Sequence, residues 1–184
     1  ISNVEVYKGS MPARFGGRVS SVLDLGLREG NRKEFKGSGG IGLISSRMTL
    51  EGPIQKGVSS FIVSARRTYI DVLTKPLIRN TSAAGSGYYF YDLNAKFNHR
   101  FSDKDEVFLS GYFGRDVFSF SSADAGFGAS IPWGNAMVST RWNHLVTDKL
   151  FLNVHGTFSN YEFSFQSGQD DFEFGFDSGV KDWS

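Results

Sequence analysis

Tyr89-Phe90-Tyr91-Asp92-Leu93-Asn94-Ala95-Lys96-Phe97-Asn98-His99-Arg100-Phe101 alternates without a break. Tyr89, Tyr91, Leu93, Ala95, Phe97, His99 and Phe101 share one parity; Phe90, Asp92, Asn94, Lys96, Asn98 and Arg100 share the other. Successive side chains of a β-strand point to opposite faces, so this period of two predicts one strand with an apolar and a polar face. Its length is unusual, because strands of soluble domains run to about five or six residues. Twelve steps of about 3.3 Å, tilted by roughly 40°, advance about 30 Å along a barrel axis, enough to cross a bilayer core with its interfaces.

The pattern recurs on both sides. Gly37, Gly39, Ile41 and Leu43 share a face, and Met48, Leu50 and Gly52 oppose Arg47, Thr49 and Glu51. Ser59, Phe61, Val63 and Ala65 oppose Ser60, Ile62, Ser64 and Arg66. Val107, Leu109, Gly111 and Phe113 oppose a mixed face, while Ala136, Val138, Thr140 and Trp142 oppose Met137, Ser139, Arg141 and Asn143. Leu150, Leu152, Val154, Gly156 and Phe158 oppose Asn153, His155, Thr157 and Ser159, and a last strand starts near Phe172. A soluble sandwich would also alternate, with shorter strands and a more heavily charged outer face. Residues 55–57, 102–105 and 147–149 read as tight polar turns; 68–88, 117–133 and 166–171 read as long connections. With a tight bend at 43–46 counted on the long side, the two kinds alternate, as periplasmic turns and extracellular loops do in outer-membrane barrels.

Composition agrees with strands and tight turns: 18 Phe, 7 Tyr and 22 Gly stand beside 4 Pro and no Cys in 184 residues. The lack of Cys excludes a disulfide scaffold and a thiolate metal site. A formal net charge of +1 gives no global field to gather nucleic acid. No run of 18 apolar residues is present, so no transmembrane helix is expected, which leaves barrel strands open. The chain opens in a strand-like run, Val4 to Tyr7, without initiator Met or leader, and stops in mid-pattern at Lys181–Ser184; it is expected to be a piece of a longer protein.

Motifs for chemistry are weak. Gly37-Ser38-Gly39-Gly40-Ile41-Gly42 fits GxGxxG, but Ser45 to Leu50 alternates as a strand where a dinucleotide site needs a helix. Glycines smoothing a sheet wall explain the run better. Asn80-Thr81-Ser82 is an accidental sequon, and His99, His144 and His155 lack metal-ligand spacing. Asp170, Asp171 and Glu173 read as a solvated acidic loop. No nucleophile–base–acid set is apparent, so neither catalysis nor a cofactor is expected, and basic residues are not clustered for nucleic acid.

Residues 1–32 differ from the rest: a short strand at Val4–Tyr7, a glycine-containing loop from Lys8 to Arg18, a second strand from Val19 to Arg28, and a polar linker at Glu29–Lys33. The stretch Val4-Glu5-Val6-Tyr7-Lys8-Gly9-Ser10-Met11-Pro12-Ala13-Arg14-Phe15-Gly16-Gly17-Arg18-Val19-Ser20-Ser21-Val22-Leu23-Asp24-Leu25 resembles the end of the plug in TonB-dependent outer-membrane receptors. The motif residues are Pro12, Arg14, Phe15, Gly16, Gly17 and Arg18. Ser46 to Ile54 and Ala65-Arg66-Arg67-Thr68-Tyr69 look like the versions found in Bacteroidetes. The resemblance implies an all-β fold: residues 1–32 end the plug, and 33–184 begin a transmembrane antiparallel β-barrel, about seven or eight of about 22 strands. It implies TonB-dependent active transport of a large solute (siderophore, cobalamin, glycan or peptide) across the bacterial outer membrane. The implied partners are TonB with its inner-membrane energising complex, outer-membrane lipid and lipopolysaccharide, and a surface substrate-binding lipoprotein. A passive porin or adhesin-type barrel is the alternative; it would lack the plug motif.

Parity then assigns faces. Arg47, Glu51, Arg66, Asp92, Lys96, Arg100 and Arg141 are expected on the lumen side, where Arg14 and Arg18 would reach carboxylates such as Glu51 or Asp92. Arg67, His99, Arg115, Trp142 and His144 have outward parity near strand ends. The rings suit a periplasmic-side girdle, and the two arginines suit the far interface, where they would meet lipopolysaccharide phosphates.

Overall fold

The computed structural model describes residues 2–9, 12, 21–169 and 172–184. Strands β1 (Asn3–Lys8) and β2 (Ser21–Gly26) form an antiparallel pair of their own. Then follow β3 (Lys36–Ile41), β4 (Ser45–Gln55), β5 (Ser59–Thr68), helix α1 (Ile70–Ile78), β6 (Gly87–Arg100), β7 (Asp105–Ser122), β8 (Phe127–Thr147), β9 (Leu150–Gln169) and β10 (Phe172–Trp183). Strands β3 to β10 make one eight-stranded sheet in chain order, every neighbouring pair antiparallel. The fold is all-β with one short helix.

The register turns each parity into a row across the sheet. Met48, Ala65, Leu93, Phe113 and Ala136 form one row, and Leu50, Val63, Ala95, Gly111, Val138, Phe158 and Trp183 the next. The GxGxxG run lies largely in β3, paired with β4, so it opens no helix and forms no phosphate loop. Register shifts fall at Pro53/Gln55 and Leu145/Thr147, both beside short turns. At the first, proline has no N–H to give the ladder.

Two expected long connections are corrected. Pairing continues from Val117↔Pro132 to Ser122↔Phe127, so 117–133 is the far part of a hairpin closed at 123–126. Likewise β9 and β10 pair up to Gln169↔Phe172. Only 68–88 remains a long excursion, and it holds α1, which the sequence reading did not expect. Ile70, Leu73 and Leu77 give α1 an apolar stripe, and Asp71 suits its first turn. Pro76 sits inside it, where its missing N–H leaves one helical bond unmade.

The sheet has no core of its own. Among the described residues Phe108 and Pro53 are the only buried apolar side chains, while Met48, Leu50, Leu93, Leu109, Phe113, Val138, Val154 and Trp183 are exposed. The chain exposes 12637 Å² at a mass of 20.4 kDa, against about 8,800 Å² for a compact monomer of that mass. A single sheet stands in water only when another layer covers its apolar face. No helix of the described residues is long and apolar enough to cross a membrane.

Candidate functional site

The polar face carries the densest set of specific contacts, and they hold the segment that joins β2 to β3. Ser60 and Asn98 are fully buried neighbours on β5 and β6; Ser60 Oγ donates to Gly30 O at 2.9 Å, and Asn98 Nδ2 donates to Ser60 Oγ at 2.9 Å. Lys96 Nζ donates to Leu27 O at 2.9 Å and lies 3.9 Å from Glu29. Arg28 pairs with Glu51 at 2.9 Å, and Arg32 pairs with Glu106. The amide of Gly57 donates to Arg32 O at 2.9 Å. Residues 27–32 thus span β4 to β7 on polar partners, while Phe35, at the end of the segment, sets its ring 6.2 Å from that of Phe61. Such polar contacts cost little to exchange for water, whereas an apolar seam would not re-form its partners elsewhere.

The seven charged residues assigned to one face do share it. Arg47, Arg66 and Asp92 fall in one row; Glu51 and Lys96 share another through Ile62; Arg141 and Asn98 flank Phe108; and Arg100 pairs with Glu106 across the ladder. Asp92 accepts from Arg66 Nε at 2.7 Å and Glu51 pairs with Arg28. Arg14, Phe15, Gly16, Gly17 and Arg18 lie outside the described residues, and Pro12 is exposed. Lys96 and Arg141 both stack over the Phe108 ring, at 5.3 and 4.3 Å from its centroid. That arrangement explains why the one buried aromatic ring among the described residues lies among charges.

The opposite face is apolar over a defined band. At the short-turn end, His99 stacks edge-on to Phe101 at 4.5 Å, and Trp142 lies 5.4 Å from His144. Asp105 accepts from His144 Nδ1 at 2.6 Å and from Trp142 Nε1 at 3.2 Å, which fixes both rings beside the turn. At the other end the band stops at the row Arg67, Tyr91, Arg115, Gly134, Glu162, Gly179, and on β9 and β10 one row earlier, where Asn160 and Lys181 continue the row of Phe113 and Ala136. Past that row the faces exchange character. Phe90, Asp116, Trp133 and Phe163 align on the formerly polar face, with Tyr88, Phe118 and Ile131 beyond them. The formerly apolar face now carries Glu162, Ser164, Gln166 and Asp177. Tyr88 stacks with Trp133 at 6.5 Å and donates to Asp116 at 2.8 Å. The exchange was readable in the sequence as a parity switch at Phe118 and Phe163.

Comparison with models of protein families, with curated proteins and with solved structures gives no match.

Proposed function

We propose that this chain belongs to a TonB-dependent receptor of the bacterial outer membrane: the end of its plug, then the first strands of its transmembrane barrel. Its role would be active import of a large solute, with neither catalysis nor a bound cofactor. The observation that carries the reading is the uncovered apolar band bounded by aromatic rings at one end and charges at the other. From Tyr91 to His99 the band is eight steps, about 26 Å along the strand and about 20 Å after a tilt of roughly 40°, near the about 25 Å of an outer-membrane barrel. The plug-like motif in residues 4–25 supports a gated transporter over an open pore. The polar seat of residues 27–32 supports a wall to which a movable plug is tied. The face that exchanges to aromatic rings would line the outer vestibule.

The test uses cells carrying the full-length protein and a panel of labelled ferric siderophores, cobalamin, oligosaccharides and peptides. One solute should accumulate only while TonB is present and the inner-membrane proton gradient is intact. Uptake that is indifferent to both would leave the passive barrel as the better reading.

A further inference from the structure

Helix α1 stands on the outward side of the sheet. Gly87 shares the parity of Leu93, and a Cβ built on it would stand 3.6 Å from the Cβ of Asp71 and 3.9 Å from its Cα. Arg67, in the last row of the apolar band, pairs with Asp71 at 3.9 Å and lies over the Tyr89 ring, 5.7 Å from its centroid. The start of the helix is tied to the bend between β3 and β4: the Tyr69 amide donates to Ile44 O at 2.9 Å, and the Tyr69 hydroxyl donates to Gly42 O. Nine residues with an internal proline are too few for a helix that stands alone in water. These ties fix where α1 sits and which side it shows. At about 100° per residue, Val72, Leu73, Pro76 and Leu77 fall within an arc of about 140°. All four are exposed, Val72 by 58%, Leu73 by 43% and Leu77 by 77%. Ile70, Asp71, Thr74 and Ile78, half-buried, make the opposite side.

Single exposed apolar side chains are ordinary, but a contiguous apolar arc marks a contact surface. What it contacts follows from its height. Gly87 is four residues beyond Tyr91, about 13 Å along the strand and about 10 Å after a tilt of roughly 40°. The headgroup layer on each side of a bilayer is about 5–7 Å thick. The band, about 20 Å tall against about 25 Å for a barrel, leaves up to about 5 Å of hydrocarbon above the Tyr91 row. A helix of about 5 Å radius centred near Gly87 reaches that boundary. Asp71, the only acid of the helix, is on the side against β6, and Lys75 borders the arc with a stem long enough to keep its ammonium in water. We propose, on the basis of the membrane-barrel reading, that α1 is an interfacial helix, lying along the outer leaflet with Val72, Leu73, Pro76 and Leu77 in the boundary between headgroups and acyl chains. It anchors the wall at the upper end of β5 and β6, continuing the band where the sheet itself turns polar. The occupant is a lipid surface and not a protein at the barrel mouth, because arc and band share a side of the sheet. Between them stand Tyr89 and Tyr91, at a level where amphipathic rings favour an interface.

The experiment uses the full-length protein in vesicles of phosphatidylethanolamine and phosphatidylglycerol, with single spin labels introduced by Leu73→Cys, Lys75→Cys, Leu77→Cys and Leu93→Cys. The three helix positions are exposed, so a label there displaces no packing. Collision with oxygen, which concentrates in lipid, is compared with collision with a neutral nickel chelate, which stays in water. Labels at 73 and 77 should be relaxed severalfold more by oxygen than by the chelate, and the label at 75 more by the chelate. Relaxation at 73 and 77 led by the chelate would place the arc in water and overturn the proposal. Protection of both positions from oxygen and chelate alike would mean a protein cover, from a loop of the same barrel or from a second protein, and would overturn it too. So would a ratio at 75 equal to that at 73 and 77, because the helix would then have no wet side. The label at 93 separates this proposal from the reading beneath it. Oxygen-led relaxation at 93 with failure at 73 and 77 refutes the interfacial helix alone. Chelate-led relaxation at 93 refutes the barrel, and the helix with it.

Discussion

Gly30 is the residue on which the linker seat depends. A Cβ there would come within 2.1 Å of the Phe61 carbonyl oxygen, a backbone atom of β5 that cannot swing aside. The close approach is what lets Ser60 reach Gly30 O, and Ser60 in turn satisfies the buried amide of Asn98. Replacing Gly30 by Ala would lift the segment and break the bond from Ser60 to the residue-30 carbonyl, leaving Ser60, 0 % exposed, with Asn98 alone as its side-chain partner. Overpacking of this kind costs about 1–3 kcal/mol, and the lost hydrogen bond adds about 1 kcal/mol. Limited proteolysis of the full-length protein measures it: Gly30→Ala should open cleavage at Arg28, Arg32 and Lys33, which wild type resists. Equal resistance would mean that the segment is held elsewhere. Nothing in the sequence announced this seat. Its acceptors are the main-chain carbonyls of Leu27, Gly30 and Arg32, which every residue type supplies.

Strand β6 is the element whose reading was fullest, and its neighbours show why others were harder. Its period of two runs unbroken, so parity assigned every side chain to a face before any partner was known, and the ladders with β5 and β7 keep that assignment. In β7 and β9 the alternation persists but its sign reverses, with Phe118 and Phe163 on the face that carries polar residues lower down. A search for one apolar parity loses such a strand halfway, which is why residues 117–133 and 166–171 read as loops. Helix α1 was missed for another reason: nine residues with an internal Pro76 give only about two and a half turns of periodicity. The charged partners were half legible, since Arg66 and Asp92 shared a predicted face, while Arg28 with Glu51 joins segments of unrelated pattern. The faces of β6 can be tested one position at a time. Spin labels at 93, 95 and 97, on full-length protein in lipid vesicles, should be relaxed strongly by a lipid-soluble quencher, and labels at 92, 94 and 96 weakly. The opposite ranking would place the polar parity against lipid and sink the assignment of both faces.

For the sheet taken entire, the question is what covers it. Strands β3 and β10 each have one unpaired edge, and both faces lack a second layer among the described residues. The excess surface, 12637 Å² against about 8,800 Å², is apolar over the band and aromatic beyond it on the other face. A soluble sandwich would have folded that surface inward within a chain of this length, because 184 residues are enough for a second sheet. Here eight strands are instead spent on one layer, and five of them, β6 to β10, run to 12–21 residues. Exposed edges and exposed apolar faces together are what drives strand proteins to aggregate in water. Residues 1–184 produced alone and diluted from urea into detergent-free buffer should therefore give sedimenting oligomers and no cooperative thermal transition. The same dilution into detergent micelles should keep the chain dispersed, because micelles cover the band as a bilayer would. Analytical ultracentrifugation with circular dichroism distinguishes the outcomes. A monodisperse monomer that melts cooperatively without detergent would show that the chain finds a core of its own, and the membrane reading would fall with the interfacial helix and the vestibule built on it.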